Sequence, residues 1–228
     1  MELEAQLAAE IPGPARPELP ARLRAALDRA CGRPAGLVVV SGPDAAETAC
    51  AFARQRDARH AGEIDTPAAL ADAVEAAERG IVFAAAAHRD AIAAIIALRR
   101  TAPDRFALAA GLRLVIAQRS AARLCQECRM PVQAYGSMSA LLGLDPGAIL
   151  WSAEGCRSCD GTGEAGRIAI FEAVEIDPAM RRLIYDGADA PLLARHAFLA
   201  SPNLASAARS LAREGMVSAA EAVRISRG

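Results

Sequence analysis

With 228 residues, 53% hydrophobic and 23% charged, and a formal net charge of -1, the chain has the composition of an ordinary soluble globular protein. It is long enough for one large domain, or a medium domain with a small appendix. The neutral balance speaks against general nucleic-acid binding, which needs a basic stripe, and no apolar run reaches the roughly 18 residues of a membrane span.

Alanine dominates the apolar fraction and only 4% is aromatic, so closely packed helices with small contact residues are expected. A short helix is expected over residues 1–10, after which Pro12, Pro14, Pro17 and Pro20 keep the chain extended as an arm. A helix follows from Pro20 to Cys31, with Leu23, Ala26 and Leu27 on one face, and Gly32 and Pro34 stop it. The β-branched run from Gly36 to Ser41 predicts a buried, parallel strand, and Gly42-Pro43 turns it into a helix over Asp44–Arg56. Pro67–Arg79 reads as an amphipathic helix with Thr66 as N-cap and Gly80 as C-cap. Ile81–Ala87 reads as a second buried strand ending at His88, and a helix follows over Asp90–Arg100. Apolar residues at Phe106, Leu108, Leu112, Val115 and Ile116 predict a further helix from Asp104 to about Arg123. Strand-helix-strand-helix order indicates an α/β layer of few strands. Beyond it, Arg167–Val174 alternates like a strand. Helices are expected from Asp177-Pro178 to Tyr185, over Ala190–Leu199 and Leu204–Glu214, with Gly215 as a stop, and, capped by Ser218, from about Ala219 to Ser226.

Two Cys-x-x-Cys knuckles stand out: Cys125-Gln-Glu-Cys128 and Cys156-Arg-Ser-Cys159. Each lets two sulfurs face one ion, and together they supply the four thiolates of a structural Zn²⁺ site, closed to water and therefore without chemistry of its own. The 128–156 gap exceeds the usual ribbon spacing, so an insertion should bulge out between the knuckles. Gly155, Gly161 and Gly163 flank the second knuckle, where a tight fold round a metal needs positive φ. Disulfides would need an oxidising compartment, and no signal peptide is present to reach one; a lone thioredoxin-type motif fits poorly. Cys31 and Cys50 are read as buried free thiols.

The strand-turn-helix at Gly42-Pro43-Asp44-Ala45-Ala46-Glu47-Thr48 has the context of a phosphate-binding loop without its chemistry. It has no second glycine and no lysine, it is one residue short, and Glu47 stands where a lysine would be, repelling a triphosphate.

Together these pieces resemble the type II secretion and type IV pilus assembly ATPases, the general secretion pathway protein E family, from Gly36 onward. Leu114-Val-Ile-Ala-Gln-Arg-Ser-Ala-Ala-Arg-Leu-Cys125 is similar to that family's "LAQRLVRxLC", and Gly155–Glu172 to its "GCxxCxGTGYxGRTGIYE". Ala212–Ile225 resembles its "GxTSxEEVxRV" ending, and Gly36–Pro43 its "GLVLVTGP". Ala61-Gly-Glu63-Ile resembles "VGEIRD", whose glutamate is associated with water activation, and Ala87-His88-Arg-Asp-Ala resembles the histidine box "LHTNDA". The resemblance implies a reduced RecA-like P-loop core with an inserted four-cysteine zinc module and an α-helical C-terminal part. Its expected divisions are 1–34 as N-terminal arm and helix, 35–123 as core, 124–172 as zinc module and 173–228 as helical region.

Against that family the loop has lost its Gly-Lys, and only a short Arg-rich passage joins Thr48 to Glu63, where several strands and an acidic box are expected. No aspartate and no apolar strand precede Glu63, and the N-terminal half that supplies arginines to the nucleotide has no counterpart. Gly42, Pro43, Glu47, Thr48, Glu63 and His88 are therefore read as vestigial, Glu63 as an exposed carboxylate before a helix and His88 as a strand-end structural residue. Phosphoryl transfer needs cradle, metal and positioning together, so no ATP hydrolysis and no ATP/Mg²⁺ cofactor are expected. The implied role is a binding or regulatory component, docking on a secretion or pilus ATPase hexamer or on its membrane platform protein. It would be cytoplasmic, reaching the inner face of the membrane through partners, and an oligomer is compatible with this. The alternatives are an active, divergent secretion ATPase and a zinc-ribbon nucleic-acid binder.

Overall fold

Strand β1 (Gly36–Ser41) is buried at all six positions, as its β-branched run requires, and the rest of the sheet is laid out on either side of it. The structure, a computed structural model, describes residues 19–134 and 136–227. The expected helix at 1–10 and the proline arm up to Pro17 lie outside the described residues.

Helix α1 (Ala21–Cys31) precedes β1; α2 (Ala45–Gln55), β2 (Arg59–Glu63), α3 (Pro67–Ala76), β3 (Ile81–Ala86) and α4 (Ala91–Thr101) follow it. After α5 (Arg105–Gly111) come the long strand β4 (Leu112–Leu124), a hairpin of β5 (Arg129–Gln133) and β6 (Ile149–Ala153) enclosing α6 (Ser137–Leu142), and the long strand β7 (Glu164–Glu175). The chain ends in α7 (Pro178–Asp186), α8 (Ala190–Ala197), α9 (Leu204–Arg213) and α10 (Ala219–Arg227). The main sheet has the order β2-β3-β1-β4-β7, its first four strands parallel and β7 antiparallel to β4.

Side chains of a strand alternate between faces, and β1 feeds two cores accordingly. Leu37 and Val39 join Ile64, Leu70 and Ile95 beneath α3 and α4. Val38 and Val40 join Leu27 of α1 and Phe52 of α2, where Phe52 meets Phe83 edge to face at 6.3 Å. A parallel sheet covered on both faces explains why its strands read as unbroken apolar runs.

Two strands depart from expectation. The helix expected over 104–123 stops at Gly111, and Leu112–Leu124 is a strand between β1 and β7. Leu108, Leu112, Val115 and Ile116 match a helical period by accident, because a strand buried on both faces has no period of its own. The segment before Glu63, where no apolar strand is expected, does form a strand, β2, but a polar, half-exposed one at the sheet edge, paired with β3. An edge strand with one neighbour can be short and polar, so Arg59-His60-Ala61-Gly62 carries no apolar signal.

The helix caps follow from the side chains. Thr66 accepts from the Ala69 N–H, Asp90 from Ala93 and Asp177 from Met180. The helix begun at Pro67 ends at Ala76, with Ala77 rather than Gly80 at its C-cap. No helix among the described residues is long and apolar enough to cross a membrane.

Candidate functional site

Cys125 follows the last residue of β4, and Cys156 and Cys159 bracket a single 3-10 turn shortly before β7. Two antiparallel strands of the main sheet therefore deliver both knuckles to one place. The four Sγ atoms all lie within 4.8 Å of one another, with Cys125–Cys156 and Cys128–Cys159 at 3.9 Å and Cys156–Cys159 at 3.8 Å. A Zn–S bond of about 2.3 Å gives a tetrahedron whose edge is about 3.8 Å, so the cluster has the size of a zinc thiolate cage. These spacings are also far too long for S–S bonds.

Electrostatics favour a cation in the cage. The Cys159 thiol is pulled down to about 6, first by the backbone N–H of Cys156 at 3.2 Å and, against the cost of burial, by that of Gly163 at 3.3 Å. Cys128 is pushed up to about 12, by burial first, with its three neighbouring thiols adding to it. Four thiolates this close repel one another unless a cation lies between them. The turn also demands glycine: at φ 100°, a Cβ on Gly155 would lie 2.3 Å from the Gly161 carbonyl oxygen. Cys31 and Cys50, read as buried, are each half-exposed, and neither belongs to the cage.

The insertion between the knuckles does not bulge freely into solvent. Ala134, Leu142 and Leu150 are buried in the same core as Leu204, Ala208, Ala212 and Ile225 of α9 and α10. The hairpin also reaches the end of α9. Arg129 Nη1 donates to the Glu214 and Gly215 carbonyls at 3.0 and 2.7 Å, Trp151 Nε1 donates to the Arg213 carbonyl at 3.1 Å, and the Arg129 guanidinium lies 4.7 Å from the Trp151 ring centre.

Three residues, Gly42 to Asp44, join β1 to α2. A phosphate cradle needs free backbone N–H groups pointing into a hollow. Here the Gly42 N–H is bonded to Ala86 O at 3.3 Å, Ala45 N–H to Gly42 O at 3.3 Å and Thr48 N–H to Asp44 O at 3.1 Å. Gln118 of β4 holds the turn down by donating from Nε2 to Pro43 O at 2.5 Å, and a Cβ on Gly42 would lie 2.3 Å from Gln118 O. Glu47 is exposed in the first turn of α2, placing a negative charge at the helix end that would otherwise attract phosphate. Thr48 is half-buried within the helix. No lysine occurs anywhere in the sequence; all 26 basic residues are arginine.

Glu63 and His88 stand at the C-terminal ends of β2 and β3, on the same edge of the sheet as this turn. Glu63 is exposed. The His88 main chain is pinned to the end of β1: its N–H donates to Ser41 Oγ at 3.1 Å, and that hydroxyl donates to His88 O at 3.0 Å.

A residue that sequence reasoning passed over is Glu172, inside the second cysteine motif but 4% exposed. Its Oε1 accepts from the Ala91 N–H at 2.7 Å and its Oε2 from the Leu204 N–H at 2.8 Å, so one carboxylate caps the N-termini of α4 and α9. Burial raises its pKa, outweighing the two N–H donors. The only signal in sequence was an acidic residue on a strand at an otherwise buried position.

The family model described as "Type II/IV secretion system protein" matches residues 44–224. The chain is 34% identical over 169 residues to the Type II secretion system protein E of Pseudomonas aeruginosa, covering 73% of this chain and 34% of that protein. It is 36% identical over 146 residues to the Type IV pilus assembly ATPase PilB of Thermus thermophilus, covering 61% of this chain and 16% of that one. The crystal structure of the pilus retraction motor PilT with bound ADP superposes with a TM-score of 0.60 at 17% identity, over 96% of this chain and 68% of that one. The Legionella pneumophila ATPase DotB gives 0.61 at 12% identity, over 92% and 64%. The chain spans about a third of the length, 33–34%, of the type II secretion system proteins E of Pseudomonas aeruginosa and Klebsiella pneumoniae and the type II secretion system ATPase E of Vibrio cholerae.

Proposed function

This chain belongs to the type II/IV secretion system protein family, and from that premise we propose that it is a catalytically degenerate member, acting as a binding or regulatory component of a secretion or pilus system. The observation that carries this is the turn after β1. Its N–H groups at Gly42, Ala45 and Thr48 are spent on internal acceptors, and Glu47 occupies the helix end that a phosphate would use. Catalysis of phosphoryl transfer is positioning and charge stabilisation, and a turn with those N–H groups spent and a carboxylate at its helix end is poorly made for either. Between Gly42 and Thr48 the turn carries no basic side chain to stand in for the missing lysine of the loop. Glu63 and His88 keep their places on the sheet edge as remnants, with nothing to act on.

What remains is a folded support and a metal-stapled appendage. Cys125, Cys128, Cys156 and Cys159 would hold one structural Zn²⁺, which fixes the chain and leaves no open coordination position. The partner is a secretion or pilus ATPase assembly, or the membrane platform such an assembly engages, met at the inner face of the membrane. Family resemblance supports that choice, and fold alone would not.

The test is a titration of the purified chain with ATP, with and without Mg²⁺, paired with a phosphate-release assay. No saturable binding in the micromolar range and no release above a protein-free blank are expected. Micromolar binding with turnover would overturn the proposal in favour of an active, divergent ATPase.

A further inference from the structure

Helix α9 is fastened at both ends by side chains from the strands and hairpin around the cysteine cage. At its start the Leu204 N–H is held by Glu172 of β7. At its end the last carbonyls, which have no partner within a helix, meet donors from the hairpin. Arg129 and Trp151 serve Arg213, Glu214 and Gly215, and Gln126, inside the first knuckle, reaches Gly215 O at 3.4 Å. The main chain closes the same joint, the Leu124 N–H donating to Met216 O at 2.9 Å. The fit is close: at φ 70°, a Cβ on Gly215 would lie 2.6 Å from Arg129 Nη1 and 2.7 Å from Trp151 Cγ. A guanidinium at a helix C-terminus is favoured by the helix dipole, and here it is also stacked on an indole.

The donors themselves ride on a weak element. β5 and β6 form a two-stranded sheet separate from the main one, with most of β5 exposed. A two-stranded hairpin is marginal in water by itself, so its geometry is set from outside, at one end by the core that Ala134, Leu142 and Leu150 share with α9 and α10. Its base is the cage: Cys128 immediately precedes Arg129, and Cys156 stands three residues beyond Ala153.

We infer that a thiophilic divalent cation in the four-cysteine cage works as a clasp on the C-terminal helix pair. It fixes the β5–β6 hairpin so that Arg129 and Trp151 can cap α9, and thereby holds α9 and α10 on the sheet. Metal occupancy then sets the local opening of residues 204–227. This rests on the cage holding a metal, as proposed above.

The experiment is hydrogen exchange by mass spectrometry on the full chain, Zn²⁺-loaded and stripped by a chelator, with metal content measured on each sample. Stripping should speed exchange over 204–227 by about tenfold or more, leave β1 and β3 unchanged, and be reversed by adding Zn²⁺. Arg129→Ala, measured with its zinc still bound, should speed exchange over 209–216 while β1 and β3 stay protected. Unchanged exchange over 204–227 after stripping, a uniform rise across the whole chain, or wild-type protection in Arg129→Ala would each overturn the clasp. A purified chain carrying far less than about one zinc defeats the metal assignment itself, a different failure read from the metal analysis alone.

Discussion

At the scale of single residues, Glu172 shows how much one buried group can organise. Its two oxygens accept from backbone N–H groups that lie 81 and 32 positions away in sequence. Glu172→Gln keeps the size but turns one acceptor into an NH₂ facing an N–H donor. Leaving a buried donor unpaired should lower stability by about 1–3 kcal/mol, read as a shifted urea midpoint with unchanged slope. The titration has a definite sign. Burial raises the pKa of Glu172 in the fold, so the folded chain binds its proton more tightly than the unfolded chain does. The stability linked to it is complete below the unfolded glutamate value of about 4.3 and is lost as pH rises through the raised folded value. Urea unfolding of wild type and Glu172→Gln across that window should show this loss in the wild type and its absence in the variant. The cysteines sit at the opposite pole of legibility. Their spacing alone picks out the four that cluster, because two sulfurs that could face one ion stand only three residues apart. It could not give the half-exposure of Cys31 and Cys50, which depends on what packs over α1 and α2.

At the scale of elements, β4 is the most instructive segment. Its Leu114, Val115, Ile116 and Ala117 are fully buried between β1 and β7. Ile116→Ala should therefore cost about 2–5 kcal/mol, the range for emptying a well-packed core site, and chemical denaturation would measure it. A variant within 0.5 kcal/mol of wild type would contradict that burial. Elements with local punctuation were legible. Thr66, Asp177 and Ser218 mark helix starts by accepting from N–H groups three residues on, and each does so here. β4 had no such mark, because both neighbours that make it a strand come from elsewhere in the chain. The same holds for β2, which exists only because β3 offers it an edge.

At the scale of the whole molecule, the sheet, the cage and the C-terminal helices form one connected structure. Replacing Cys125 or Cys156 with Ser should drop zinc content well below about one per chain and lower the melting temperature, since structural zinc contributes of the order of 10 kcal/mol in small sites. Elemental analysis and thermal melting would check both. By itself the sequence determined the four cysteines that cluster, the α/β class, most helix starts and the lack of a lysine in the turn after β1, all of which depend on residues a few positions apart. Only the tertiary structure decided that Leu112–Leu124 is a strand, that Glu172 caps two helices, and that the insertion between the knuckles packs against α9 instead of standing clear. Each of these is fixed by partners dozens of residues distant, and hydrogen bonds and burial of that range leave no period or spacing in the chain that forms them.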